Sequence, residues 1–331
     1  MHVTVLIVNW NGGPLLRRCL ESLEQQRRQP DHVIVVDNAS RDESLSIARD
    51  CLRRVELIQL DGNVGFAKAN NIAARAARGA DALALLNPDA FAEPGWLEAL
   101  VDAAHRRPEV ASFASQIRFA ASPGRLDGAG DSYHVSGRAW RNSHGAAVDS
   151  GFGGDRDVFA ACAAAAFYRY GAFHEAGGFD ENYFCYFEDV DLGFRLRLLG
   201  HRCVYVHAAV VAHVSSAATG YRSDFAVYHG ERNAVWTFMK DMPGPLLWFY
   251  LPQHLALNLA ALLRYPGRGQ GRVVWKAKLD ALRGLGPVLK RRRLIQQSRR
   301  ADVWSLRSAM STGLTRPYVS RYAPPAMTSD M

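Results

Sequence analysis

Val3-Thr4-Val5-Leu6-Ile7-Val8-Asn9-Trp10-Asn11-Gly12-Gly13-Pro14 is the stretch that decides the fold. Val3 to Val8 is apolar apart from Thr4, which predicts a short strand buried on both faces. Asn9 to Gly13 supplies a turn, and Pro14 suits the start of a helix, where its missing N–H costs nothing. Leu15, Leu16, Cys19, Leu20 and Leu23 then recur at helical spacing. The same alternation continues downstream. Val33–Val36 predicts a second strand, ending at Asp37-Asn38-Ala39-Ser40, and Ser40 with Glu43 forms a capping-box pattern for the next helix. Val55–Leu60 predicts a third strand, followed by a Gly-containing loop and an Ala-rich helix from Phe66 to about Ala77. Ala82–Leu86 predicts a fourth, ending at Asn87-Pro88-Asp89. Strands alternating with helices define an α/β fold with a mainly parallel sheet covered on both faces. Such sheets bind ligands at the carboxyl ends of their strands, where the polar clusters of this chain fall.

Residues 122–154 are rich in Gly, Ser and Asp without firm periodicity, and read as a loop or short antiparallel excursion near the site. Glu188–Gly200 predicts a helix with Leu192, Leu196 and Leu199 as its buried stripe and Gly200 as its stop. Val204–Val206 and Val210–Val214 predict further strands. Pro245–Leu263 is apolar, but Pro252, Gln253, His254 and Asn258 interrupt it, which argues against a spanning helix. From Arg264 to Arg300 there are twelve Lys or Arg against one acid, Asp280. An apolar segment beside a basic one suits the surface of an anionic membrane, here through 245–300. A solvated helical appendage or a contact in a homo-oligomer fits the same pattern equally well.

A chain of 331 residues with 48% hydrophobic content can bury a sizeable core, and a net charge of +8 favours an anionic partner. Five scattered cysteines, with no C-x-x-C pair, suggest neither a disulfide framework nor a cysteine zinc site, and fit the cytoplasm. The N-terminal apolar run is too short for a signal peptide. The division expected is a main domain over 1–240, in two parts, 1–120 and 121–240. A helical, basic extension over 241–310 and a disordered tail over 311–331 follow.

Several acids and one histidine stand where chemistry is done. Asp37, ending the second strand, can accept hydrogen bonds from a ribose or base; a turn-forming Asp explains it as well. Asp89 is held by Pro88 and can ligate a hard divalent cation that also holds phosphate oxygens. Glu188-Asp189-Val190-Asp191 opens the best helix, where the helix dipole by itself favours acids by about 0.3–1 kcal/mol each. The preceding aromatic block, Asn182 to Phe187, reads as either a cleft wall or a buried strand. An acid beside an apolar wall has its pKa raised towards that of a working general base. His213 lies in an apolar run and becomes a ligand candidate in company with Asp89. Asn63-Val64-Gly65 opens a helix whose N-terminus attracts phosphate or ribose, with Gly65 permitting close backbone approach.

Taken together, these motifs resemble the family-two glycosyltransferases of GT-A fold, in their bacterial rhamnosyltransferase-like branch. The residues that carry the resemblance are Val5–Gly12, Val35–Ser40, Asn63–Ala67, Leu86–Asp89, Gly177-Gly178-Phe179-Asp180-Glu181, Tyr186–Asp191 and His213, in order over residues 3–240. The resemblance implies a Rossmann-like mixed α/β sheet flanked by helices, with a C-terminal helical extension. It implies an inverting transfer from a nucleoside-diphosphate sugar to a hydroxyl of a glycan or lipid-linked acceptor. Asp189 would be the general base and Glu188 a supporting acid. Asp89 and His213 would ligate Mg²⁺ or Mn²⁺. Asn9, Asp37, Asn63, Gly65 and Asn87 would meet the donor, and Arg232 its phosphate. Location on the inner face of the cell membrane as a peripheral protein follows from the basic extension.

Two departures stand out. Asn87 replaces the first acid of the family's D-x-D, leaving Asp89 as the sole carboxylate at that turn. Ala163 replaces a common Gly, which implies a narrower acceptor pocket. Rival readings are weaker. A nucleotidyltransferase would carry a basic Gly-rich loop after the first strand, whereas no basic residue follows until Arg17. A nucleic-acid-binding module would carry its basic residues on a recognised motif, so nucleic acid is not an expected partner.

Overall fold

The computed structural model describes residues 1–51, 55–149, 153–215, 220 and 222–313; from residue 314 the expected tail lies outside the described residues, as does Ser216. The strands are β1 (Val3–Asn9), β2 (His32–Asp37), β3 (Val55–Gln59), β4 (Ala82–Leu86), β5 (Ala90–Ala92), β6 (Val110–Phe119), β7 (Ser122–Ala129), β8 (Asp131–Tyr133), β9 (Ala139–Arg141), β10 (Arg156–Val158), β11 (Ala165–Arg169) and β12 (Arg202–His213). The helices are α1 (Gly13–Glu24), α2 (Ser44–Cys51), α3 (Phe66–Ala76), α4 (Trp96–Arg106), α5 (Tyr170–Glu175), α6 (Glu188–Leu198), α7 (Asp224–Asp241), α8 (Gly244–Arg264), α9 (Gly271–Arg283), α10 (Leu285–Gln297) and α11 (Val303–Ala309).

The main sheet has the order β10-β12-β6-β11-β4-β1-β2-β3. Alternation along β1 sends Val3, Val5 and Ile7 to one face, against Leu16, Cys19 and Leu20 of α1. Leu6 and Val8 point to the other face, against the alanines of α3. Both faces are thus covered, as the unbroken apolar runs require. The sheet is mixed, however, because β11 runs antiparallel between β4 and β6. The chain from β6 to β11 passes through the antiparallel strands β7 to β9 rather than a crossover helix, and a parallel return needs such a crossover.

Local expectations needed four revisions. Ser40 does not cap α2, which starts at Ser44; its Oγ instead accepts from Asn11 N (2.9 Å) and Asn9 Nδ2 (3.0 Å). The two strands expected between Val204 and Val214 are one, β12, whose register against β6 shifts between Val206 and Val210. The aromatic block before α6 is not a strand but a tight turn, with Phe184, Tyr186 and Phe187 all at positive φ. Pro252 does not interrupt α8, a continuous helix of 21 residues that by length and composition is apolar enough to cross a membrane.

α9 and α10 pack on α7, and α11 on α8. Trp236 of α7 donates from Nε1 to Ala281 O of α9 at 3.0 Å. Beneath this layer lies a buried ionic network. Lys240 Nζ donates to Asp180 Oδ2 at 2.6 Å and to Asp191 Oδ1, and Asp191 also accepts from Arg195 Nε at 2.9 Å. Arg291 of α10 reaches Asp180 from the other side. Burial alone would raise the Asp180 carboxyl, but Lys240 and Arg291 hold it well below the usual range. Asp191, third acid of the helix-opening cluster, is therefore structural.

Removing one partner of such a group leaves charge buried without compensation, at a cost of about 3–5 kcal/mol. Lys240→Met is expected to lose that much in chemical denaturation; a loss under ~1 kcal/mol would remove the network from the account of stability. A depressed folded-state pKa contributes stability above the unfolded value and loses it as pH falls. Wild-type stability should therefore fall through the acid range below about pH 4 more steeply than that of Lys240→Met.

Candidate active site

Asp89 leaves the end of β4 and immediately precedes β5. That short strand pairs antiparallel with the last residues of β12, with Ala90 opposite His213, and Val214 N donates to Asp89 O at 3.0 Å. The register sets His213 Nε2 3.2 Å from Asp89 Oδ1. Two cis ligands of Mg²⁺, each ~2.1 Å from the ion, stand about 3 Å apart, so the pair fits one small divalent cation. The other ring nitrogen, Nδ1, is 2.8 Å from Asp127 Oδ2 on β7, a residue the sequence reading did not single out. Burial alone would raise Asp127, but Arg141, His144 and His213 hold it well below the carboxylate range. Burial alone would lower His213, but Asp89 and Asp127 raise it to about 9.

Asn87, in the same turn, donates its N–H to Ala164 O at 2.9 Å, and the neighbouring Ala163 N–H donates to Asp189 Oδ2 at 3.0 Å. The cation-side turn and the first turn of α6 are thus joined through residues 163–164, at the same end of the sheet. Asp189 Oδ1 also accepts from Val190 N at 2.8 Å. Burial raises the Asp189 pKa, partly offset by these two backbone donors. Burial, then the charge of Asp189, push both Asp131 of β8 and Glu188 well above the usual range. Glu188 Oε2 and Asp131 Oδ1 are buried with no hydrogen-bond partner. Arg141, on β9, lies among these acids and holds Asp127 at 2.5 Å. Ala163 is 2% exposed and its methyl packs in the core behind the site.

The turn before α6 is held by one side chain. Asn233 Nδ2 donates to Tyr183 O (3.1 Å), Cys185 O (2.9 Å) and Tyr186 O (2.7 Å). Non-glycine residues at positive φ cost on the order of 1–3 kcal/mol each, which these bonds help offset. Arg232 donates to Tyr183 O at 3.0 Å and lies 4.3 Å over the Trp236 ring, so its guanidinium braces this turn. Asn233 had a sequence signal only as the neighbour of Arg232.

Of the residues expected to meet the donor, Asp37 and Asn63 line a cavity of about 690 Å³, together with Trp10, Asn11, Ser40 and Gln59, whereas Asn9, Gly65 and Asn87 do not. Asn9 Nδ2 donates to Asp37 Oδ1 at 3.1 Å, and Ser40 N to Asp37 Oδ2 at 3.0 Å, which fixes the carboxylate at the strand end. Asn63 Oδ1 accepts from Asn38 Nδ2 and Gly65 N, both at 2.9 Å, and shapes the loop before α3. Gly65 has φ +85°, and a Cβ there would stand 2.6 Å from the Phe184 ring. Only glycine lets the donor loop and the aromatic turn touch.

The family-wide pattern described as Glycosyl transferase family 2 matches residues 4–175. The N-acetylglucosaminyl-diphospho-decaprenol L-rhamnosyltransferase of Mycobacterium tuberculosis is 31% identical over 288 residues, covering 78% of this chain and 90% of its own. The O-antigen chain rhamnosyltransferase of Salmonella typhimurium is 28% identical over 220 residues, covering 64% and 66% respectively. Among solved structures, GalNAc-T7 with UDP, GalNAc and Mn²⁺ shares the fold with a TM-score of 0.62 at 15% identity, over 78% of this chain and 50% of that one. The mannosyltransferase of Pyrobaculum calidifontis, in complex with GDP-Man and Mn²⁺, does so at 0.54 and 17% identity, over 93% and 85%. With its GT-A sheet, its motifs in order and rhamnosyltransferases among its relatives, the chain is a glycosyltransferase and belongs to glycosyl transferase family 2.

Proposed function

We propose that the protein transfers a sugar, rhamnose by analogy with its relatives, from a nucleoside diphosphate to a hydroxyl of a lipid-linked glycan, with inversion at the anomeric carbon. The observation that carries this reading is the 3.2 Å approach of His213 to Asp89 at the sheet end where Asp189 also stands. Asp189 takes the acceptor proton as the acceptor oxygen bonds to the anomeric carbon. The bond from that carbon to the diphosphate breaks, and the nucleoside diphosphate leaves with its electron pair. The raised pKa of Asp189 strengthens it as a base at neutral pH. Burial and the charge of Asp189 favour the protonated form of Glu188, which keeps a second negative charge away from the incoming hydroxyl. Asp89 and His213 would hold Mg²⁺ or Mn²⁺, which when bound neutralises charge on the diphosphate. Asn9, Asp37, Asn63 and Gly65 would form the nucleoside side and Asn87 the turn that carries Asp89, while Arg232 serves the site by bracing the aromatic turn.

Asp189→Asn is expected to lower kcat by at least ~100-fold with donor affinity nearly unchanged, since base catalysis typically supplies 10²–10⁴-fold. The rate of the wild type should rise with pH as Asp189 ionises, with its acid limb above the ordinary Asp value. Wild-type turnover in Asp189→Asn would reject the assignment. Asp89→Ala should abolish metal-dependent donor binding in titration calorimetry, and unchanged metal affinity would place the cation elsewhere.

The acceptor and the membrane enter through α8. Leu246, Leu247 and His254 face the domain, and the His254 ring stacks on Phe238 at 3.9 Å. Trp248, Leu255, Leu259 and Leu263 recur at helical spacing on the opposite side, with Trp248 72% and Leu263 73% exposed. A helix docked along one side and bare along the other suits lying on an anionic bilayer as a peripheral protein on the cytoplasmic face, next to the basic α9 and α10. Each exposed Trp or Leu is worth about 1.5–3 kcal/mol when buried. Trp248→Glu with Leu263→Glu should therefore reduce sedimentation with phosphatidylglycerol vesicles by at least ~10-fold. Equal sedimentation of variant and wild type would leave a homo-oligomer contact as the use of this face.

A further inference from the structure

We infer that Asp127 is a positioning residue that orients His213, accepting the Nδ1–H of its ring so that Nε2 faces the Asp89 side. Its purpose rests on the reading of Asp89 and His213 as cation ligands; the tautomer does not.

Three donors converge on one oxygen of Asp127. Oδ2 accepts from Arg141 Nη1 at 2.5 Å and from Ser215 Oγ at 2.6 Å, and lies 2.8 Å from His213 Nδ1. His144 Nδ1 stands 3.3 Å from the other oxygen and 2.8 Å from the Asp127 backbone carbonyl. The residue is fully buried, so its carboxylate is reached by these groups and not by solvent. The oxygen that faces the ring is thus taken up by donors, and Asp127 meets the Asp89 side through His213. A carboxylate paired with a guanidinium is an acceptor only, so the ring nitrogen facing it must donate. Nε2, 3.2 Å from Asp89 Oδ1, is then the nitrogen that gives up its proton when the ring becomes neutral, as a cation ligand must. Histidines that bind metals are commonly oriented in this way, and losing the orienting group typically costs 10–100-fold in metal affinity. Arg141 gives the device its rigidity. It is fixed on β9, the partner strand of β8, and the excursion over residues 122–141 thus supplies both the carboxylate and the cation that anchors it.

Two readouts on the full-length protein test this. Long-range ¹H–¹⁵N spectra of the neutral His213 imidazole should show the Nδ1–H form in the wild type and lose it in Asp127→Asn. Calorimetric titration with Mn²⁺ alone should give a Kd about 10–100-fold higher for Asp127→Asn than for wild type. An Nε2–H ring in the wild type, or Asp127→Asn with wild-type tautomer, would overturn the inference. So would wild-type Mn²⁺ affinity in Asp127→Asn alongside lost affinity in Asp89→Ala. If Asp127→Asn does not fold, the wild-type spectrum alone decides. Should Asp89→Ala also keep full Mn²⁺ affinity while the tautomer shifts as expected, the orientation by Asp127 stands and the ligand assignment of the proposed function falls.

Discussion

The pairing of three residues, Ala90 to Ala92, with the far end of β12 holds the site together. Asp89 and His213 are separated by well over a hundred residues of chain, and each sits at the end of a strand that would otherwise have no reason to meet the other. Main-chain hydrogen bonding between β5 and β12 closes that gap with backbone precision, because strand register moves in whole-residue steps. A slip of one residue would turn His213 to the opposite face of the sheet. The rest of the cation side follows from this junction: the ring meets Asp89 on one edge and Asp127 on the other, and Arg141 braces Asp127 in turn.

A second constraint is electrostatic. Acids crowd the first turn of α6, and the helix dipole is too small to account for all of them. The structure divides them by environment. Asp191 faces inward to Lys240 and Arg195 and is paired; Glu188 is buried, which with the charge of Asp189 raises its pKa well above the usual range; Asp189 keeps backbone donors that partly offset the rise burial gives it. One sequence block thereby provides a structural anion, a carboxyl raised by burial and the acid proposed as the base. Nothing in residue type alone separates these roles; their neighbours do.

Much of the framework is legible in the chain itself. β1, β2 and β4 announce themselves as apolar runs ending in polar turns, since a strand buried on both faces has little room for other residues, while β3 at the sheet edge leaves Glu56 and Gln59 exposed. Asp37, Asp89, Asp189 and His213 are visible because acids and a histidine next to apolar strands are unusual. The region from Ser122 to Gly154 is where reading stops. β8 and β9 are three residues each and β7 carries two glycines, so no period survives, and Asp127, Asp131 and Arg141 gain meaning only from the partners the fold gives them. β5 is too short to carry a pattern, and the role of Asn233 depends on three carbonyls in a turn whose dihedrals residue type does not foretell. β12 reads as two strands because its register shift brings His207 into an otherwise apolar run.

The way α10 meets the globular part bears on how the protein can be handled. Arg291 reaches Asp180, Arg292 donates to the carbonyl of Met239 at 3.0 Å, and Gln296 donates to that of Asp241 at 2.8 Å. Cutting the chain ahead of α9 to obtain a smaller, more soluble enzyme would uncover Trp236 and strip a counter-ion from a carboxylate in the interior. Solubility is better sought by recolouring the bare side of α8 with polar residues while leaving the last helices in place.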